Sequence, residues 1–186
     1  MKSESASTES FVVTHHGSPS RVRTTRVGTR AAEPYRTLRL TRRFDARPQR
    51  VFDAWLDPPL AARWLFATAS RPIAHVEIDA RVGRAFRFVD RDHGDAIEYA
   101  GEYTEIVPNR RLAFTLVLPR AEPTITRVTV AIASLNRGSR LSVVHENVPN
   151  VNASYTNDRW AGILYGLGVT LASDGEHDVD HHRPVV

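Results

Sequence analysis

The chain contains no cysteine. That removes a disulfide framework, a thiolate metal site and a cysteine nucleophile together, and it suits a reducing compartment such as the cytoplasm. Lysine is nearly absent as well: Lys2 is the only one, and arginine supplies every other basic residue. This bias fits a GC-rich bacterial coding sequence and carries no chemistry of its own. No apolar run approaches the ~18 residues that a membrane-crossing helix needs. The first residues lack the apolar core, roughly 7–15 residues long, of a secretory signal. There is no Gly-x-Ser-x-Gly elbow, no phosphate loop and no dinucleotide fingerprint.

What is present reads as one globular domain with two tails. The 186 residues are 41% hydrophobic and 25% charged, ordinary values for a folded protein. The formal charge of +4 is unevenly spread. Residues 1–43 hold nine basic and three acidic side chains, a net +6; the remainder holds 16 and 18, a net −2. A nearly neutral body argues against a nucleic-acid groove. Residues 1–33 are rich in Ser, Thr and Arg without a sustained period and are expected to be disordered. Residues 173–186 form a second polar tail, also expected to be disordered. Its run His177-Asp178-Val179-Asp180-His181-His182 contains metal-ligand types, but nothing there pre-organises them, and no metal site is expected.

Between the tails, from residue 34 to 172, the chain is patterned throughout. Leu38 and Leu40 alternate with Thr37, Arg39 and Thr41, predicting a half-exposed strand over 35–44 whose arginines guard an edge. Pro48 opens a helix with Val51, Phe52 and Trp55 on one face. Asp57 and Pro58 suit the cap and first turn of a second helix presenting Leu60, Trp64 and Leu65. Strands follow near 73–79, 84–90, 97–106, 111–118, 124–134 and 140–146. Turn chemistry separates them at Gly83, Asp92–Gly94, Pro108-Asn109, Pro119–Pro123 and Asn136-Arg137-Gly138. A last helix over 154–172 carries Trp160, Leu164, Leu167 and Leu171 as one stripe. Short loops between strands favour an antiparallel meander, and the stripe supplies the cover its inner face needs.

Five segments, taken in order, carry a family resemblance. They are Thr41–Trp55, Asp57–Trp64 ending on its tryptophan, Gly101–Thr115, Arg140–Asn147, and the closing stripe from Trp160 to Leu171. The set resembles the activator of heat shock protein 90 ATPase homologue family, within the SRPBCC or START-like superfamily. Two positions depart from that family's pattern: Gly83-Arg84 stands where a Gly-Gly pair is usual, and Arg159 stands where a Gly precedes the helix Trp. The resemblance implies an α+β helix-grip fold, in which a curved antiparallel sheet wraps a long C-terminal helix and two short helices follow the first strand. It also implies a cavity between sheet and helix.

Strand alternation sends one set of side chains towards that space. The expected ligand-binding residues are Phe86, Phe88, Tyr99, Tyr103, Phe114, Leu116, Val143 and His145 from the sheet. Trp160 and Tyr165 come from the helix, and Trp64 is expected at the mouth. His145, Tyr99 and Tyr103 are the polar handles. An equally economical reading is a filled core with satisfied polar tips. Glu98 and Glu102 should face solvent. No catalytic residue and no cofactor is assigned. The leading function is binding of a small hydrophobic molecule. One alternative is a cyclase- or dehydratase-like enzyme using His145 and Tyr99; another is a chaperone-interacting module. The eukaryotic activator resembles this chain in one domain only, so a chaperone partner is not the expectation. Neither nucleic acid nor membrane is an expected partner. Gly162 and Gly166, four apart on the last helix, suit packing against a sheet, with a homodimer seam as the alternative.

Overall fold

Apolar side chains at every second position serve one covered face of a sheet. In the computed structural model, seven such segments pair into one antiparallel sheet. The structure describes residues 34–67, 73–90, 96–118 and 124–179, with side chains described as far as Ser173. The expected N-terminal extension, the turns at Asp92–Gly94 and Pro119–Pro123, and the side chains of the His- and Asp-rich tail lie outside the described residues.

The strands are β1 (Tyr35–Phe44), β2 (Ile73–Ile78), β3 (Ala85–Asp90), β4 (Ile97–Val107), β5 (Arg111–Leu118), β6 (Thr124–Ser134) and β7 (Ser139–Pro149). Helices α1 (Pro48–Leu56) and α2 (Pro58–Ala61) follow β1, and α3 (Ala153–Val179) closes the described chain. The spatial order is β1-β7-β6-β5-β4-β3-β2. Strands β2 to β7 form a meander, while β1 pairs with β7. The two strands that flank α1 and α2 in sequence therefore lie at opposite edges of the sheet. On edge strand β1 the side chains of Arg36, Arg39 and Arg43 are exposed, and such charge discourages pairing with another chain.

Two helical expectations need correction. Asp57 does cap α2, accepting from the Leu60 N–H at 2.9 Å, but the helix is a single turn. After it the backbone tightens, with Arg63 N bonded to Leu60 O at 3.1 Å and Trp64 N to Ala61 O at 3.2 Å, so Trp64 and Leu65 lie beyond the helix. At the other end of the domain, α3 continues to Val179, past the expected stop near Ala172.

The inner face of the sheet meets α3 through Trp160, Ile163, Leu164, Leu167 and Leu171, all buried. Helix α1 adds Val51, Phe52, Ala54 and Trp55. Two features near the middle of β4 favour a bend in the sheet. The pairing of β4 with β5 shifts register between Tyr103 and Glu105. Next to it, Gly101 is paired with Phe86, and a Cβ there would overlap the Thr115 carbonyl oxygen and the Phe86 ring. On α3, Gly166 faces Trp64, whose Cβ would lie 3.4 Å from an added methyl. The close neighbour of that glycine is thus the segment after α2, not a strand. Gly162 faces open space.

Candidate functional site

The space between sheet and helices divides into two unlike parts. In the first, aromatic rings fill the volume. Trp55 meets Trp64 edge-on with centroids 4.8 Å apart, and Phe86 meets Phe114 in the same way at 5.3 Å. Phe66 meets Phe88 at 5.4 Å, and Tyr103 leans on Phe86 at 5.4 Å. The first three of these contacts are T-shaped and place ring edges on ring faces, an arrangement aromatic quadrupoles favour. About 10 Å³ remains among them, room for one water at most. Burial pushes the Tyr103 hydroxyl pKa above its ordinary value, so this phenol stays protonated.

The second part lies beside the first turns of α3 and is a recess of about 70 Å³. Ile97, Tyr99, Leu116 and Leu118 of β4 and β5 and His145 of β7 form its sheet side. Asn152, Tyr155, Thr156, Arg159, Trp160 and Ile163 form its helix side, and Phe66 closes one end. Its walls are mainly apolar. The volume suits a few waters or one small organic group, well below the ~300–1,000 Å³ of drug-sized pockets.

A directed hydrogen-bond chain runs along the inner wall. The Trp160 indole N–H donates to His145 Nδ1 at 2.9 Å. An indole can only donate, so Nδ1 carries no proton and the neutral ring must hold its proton on Nε2. His145 Nε2 then donates to Thr126 Oγ1 at 2.7 Å, and that hydroxyl donates to the Leu116 carbonyl at 2.8 Å. Register explains the assembly: Leu116 pairs with Thr126 and Val128 with His145, which puts all four side chains on the inner face. Burial pulls the His145 pKa down to about 4. Both ring nitrogens are committed, and a proton added at Nδ1 would confront the indole N–H.

Arg159 holds the end of the recess that Phe66 closes. Its Nη2 donates to Tyr99 Oη at 2.7 Å and to the Phe66 carbonyl at 3.2 Å. The guanidinium lies 5.5 Å from the centre of the Tyr99 ring. That ring stacks on Phe66 at 4.5 Å with a 2° tilt. Phe66 has φ of 63°, a left-handed conformation uncommon for a bulky residue. The arginine thus holds the carbonyl of a strained turn while its charge faces the recess.

Of the residues expected from sequence, Tyr99, Leu116, His145 and Trp160 meet at the recess. Phe86, Phe88, Tyr103 and Phe114 are buried in the aromatic cluster, and Val143 is buried between Val130 and Leu40 on neighbouring strands. Trp64 is no mouth residue. It is 1% exposed, and its indole donates to the Ala54 carbonyl at 3.1 Å. Tyr165 is 63% exposed, with Arg42 5.4 Å from its ring centre. Five residues along a helix rotate a side chain by about 140° from Trp160, away from the sheet. Glu98 lies on the outer face, as expected, and pairs with Arg87 at 2.9 Å; the lost proton of Glu98 is favoured by that hydrogen bond, which lowers its pKa. The sequence reading passed over Arg159, Phe66 and Thr126. Arg159 had a visible signal, as a cation where the family carries glycine. Asn152, Thr156, Arg159 and Ile163 also follow helical spacing towards the same face as Trp160.

A bent antiparallel sheet that grips a long C-terminal helix, with two short helices after its first strand, is the helix-grip fold of the SRPBCC superfamily. Residues 45–172 match the model of the family described as activator of Hsp90 ATPase homolog 1-like protein, and the chain belongs to that family. A crystallographically solved protein from Chromobacterium violaceum is 32% identical, with a TM-score of 0.65 over 72% of this chain and 94% of its own. The AHSA1-like protein of Aeromonas hydrophila, solved by NMR, is 19% identical, with a TM-score of 0.67 over 81% of this chain and 100% of its own. A Rhizobium leguminosarum protein is 23% identical, with a TM-score of 0.67 over 75% and 95%. No curated protein matches the chain. Domains of this superfamily are typically ligand-binding folds.

Proposed function

We propose that this protein binds a small, mainly apolar molecule in the recess beside the start of α3. The carrying observation is the contrast between the two parts of the interior: rings close one part, while the other keeps about 70 Å³ lined by apolar walls and a few oriented polar groups. Leu116, Ile163 and Trp160 supply the apolar contact, and Tyr99 and His145 border it. Small side-chain movements on binding would enlarge the space. A cytoplasmic location belongs to the same reading and suits the cysteine-free composition.

The enzyme alternative is the weaker one. A general base needs a nitrogen free to take a proton from substrate, and both His145 nitrogens already have partners. No feature of the described surface favours a chaperone contact over ligand binding. The test is native mass spectrometry of untagged protein, followed by organic extraction. A stoichiometric small molecule should accompany the folded chain. A bare mass, together with no binding of an apolar environment-sensitive dye, would remove the binding reading.

A further inference from the structure

Among the described residues that line the recess, Arg159 is the one cation and none is a carboxylate. Among the described residues no carboxylate pairs with Arg159, whose protein contacts are the Tyr99 hydroxyl and ring and the Phe66 carbonyl. Both hydrogen bonds use Nη2, and among the described residues no acceptor is bonded to Nε or Nη1. Asp158, the next residue, is exposed and forms no ion pair with it. Half-burial leaves the guanidinium only partly hydrated. Its carbon lies 5.5 Å from the centre of the Tyr99 ring, which is itself stacked on Phe66, and its Nη2 is bonded to the Tyr99 hydroxyl. A guanidinium fixed in this way has little further side-chain entropy to lose when it grips a planar anion. Beside it on the helix side lie Trp160 and Ile163, and Leu116 comes from the sheet side, so its surroundings in the recess include much apolar surface. One cation within a mainly apolar lining matches an amphipathic ligand.

We propose that the ligand class is a small monocarboxylate with a compact aryl or short alkyl body, its carboxylate on Arg159 and its body against Trp160 and Ile163. The inference rests on the binding reading above and adds the charge of the ligand to it. A carboxylate accepts two parallel N–H bonds from one guanidinium, which a neutral amide of the same shape cannot do. Charge-assisted hydrogen bonds contribute about 1.5–3 kcal/mol net, equivalent to roughly a tenfold to hundredfold preference.

Benzoate and benzamide form a matched pair small enough for the recess, and two-dimensional NMR titration reads millimolar affinities. The wild-type protein should bind benzoate about tenfold or more tightly than benzamide, with shifts centred on Trp160 and Ile163. Arg159→Gln should abolish the benzoate-over-benzamide preference, read as a ratio within the variant; Arg159→Lys should keep part of it. The wild-type ratio needs no variant, so a folding defect in either variant cannot obscure the outcome. Equal affinities in the wild type, or a preference that survives Arg159→Gln, would overturn the carboxylate assignment while leaving apolar binding intact. If neither probe shifts any recess resonance, the carboxylate assignment falls, and the native mass and dye measurements decide the binding reading separately.

Discussion

His145 shows how a single side chain can be positioned for structure while sitting at the edge of a site. Its chain of donors, from Trp160 through Thr126 to the Leu116 carbonyl, is complete only when the imidazole is neutral. Burial lowers its pKa from 6.5 to about 4. In the unfolded chain the ring takes a proton near its ordinary value; in the folded protein it resists until about pH 4. The stability gained by holding it neutral is therefore complete above the unfolded pKa and is lost as pH falls towards the folded one. Over that interval the loss amounts to roughly 3 kcal/mol. Denaturant titrations from pH 7 down to pH 4.5 should show the wild type losing stability more steeply than His145→Gln, although the variant starts lower. Parallel slopes would place the acid sensitivity elsewhere. The inward direction of His145 was readable from its alternation with Leu141 and Val143. Its partners were not, because they come from another strand and from a helix whose relation to β7 only the fold establishes.

Among the elements, α3 has the most functional consequences. Its stripe from Trp160 to Leu171 covers the sheet, and its first turns with Arg159 make one side of the recess. Helical spacing gave that stripe directly, and strand alternation placed all seven strands, since both periods follow from one buried face. The limits of α2 and α3 were less legible. The Pro58–Ala61 turn ends where Trp64 turns inward to bond the Ala54 carbonyl, a tertiary contact that overrides local pattern. Tyr165 was misplaced because its aromatic character was weighed above its angle on the helix. The three glycines of α3 also turn out to differ. A methyl added at Gly162 would meet nothing within 4 Å, so this glycine weakens the helix with no packing in return. Gly162→Ala should raise stability by about 1 kcal/mol, seen as a higher urea midpoint with an unchanged slope. A lower midpoint would mean that the open face of α3 is covered in solution.

For the molecule as a whole, the decisive property is the unequal packing of its two ends. Sequence identified which residues face inward; it could not say which of them fill one another's space, because that depends on sheet curvature and on the approach of α1 and α3. Two enlargements should therefore behave oppositely. Val143 is fully buried, paired across the sheet with Val130 and Leu40, and does not line the recess, although His145 two residues on does. Val143→Phe should destabilise by about 1–3 kcal/mol, the usual cost of overpacking. Leu118 is half-buried on the recess wall. A larger ring at that position has about 70 Å³ to enter, so Leu118→Phe should cost less than about 1 kcal/mol. The same substitution should also weaken the binding of an apolar dye or of benzoate, because the ring would occupy the ligand's place. Denaturant melts measure the first quantity and titrations the second, on the same two variants. Equal destabilisation by both, with dye binding unchanged in Leu118→Phe, would show that the interior is packed alike from end to end and that ligands are met on the outer surface. A tolerated Leu118→Phe that blocks binding, beside a costly Val143→Phe, would locate the binding space at the recess.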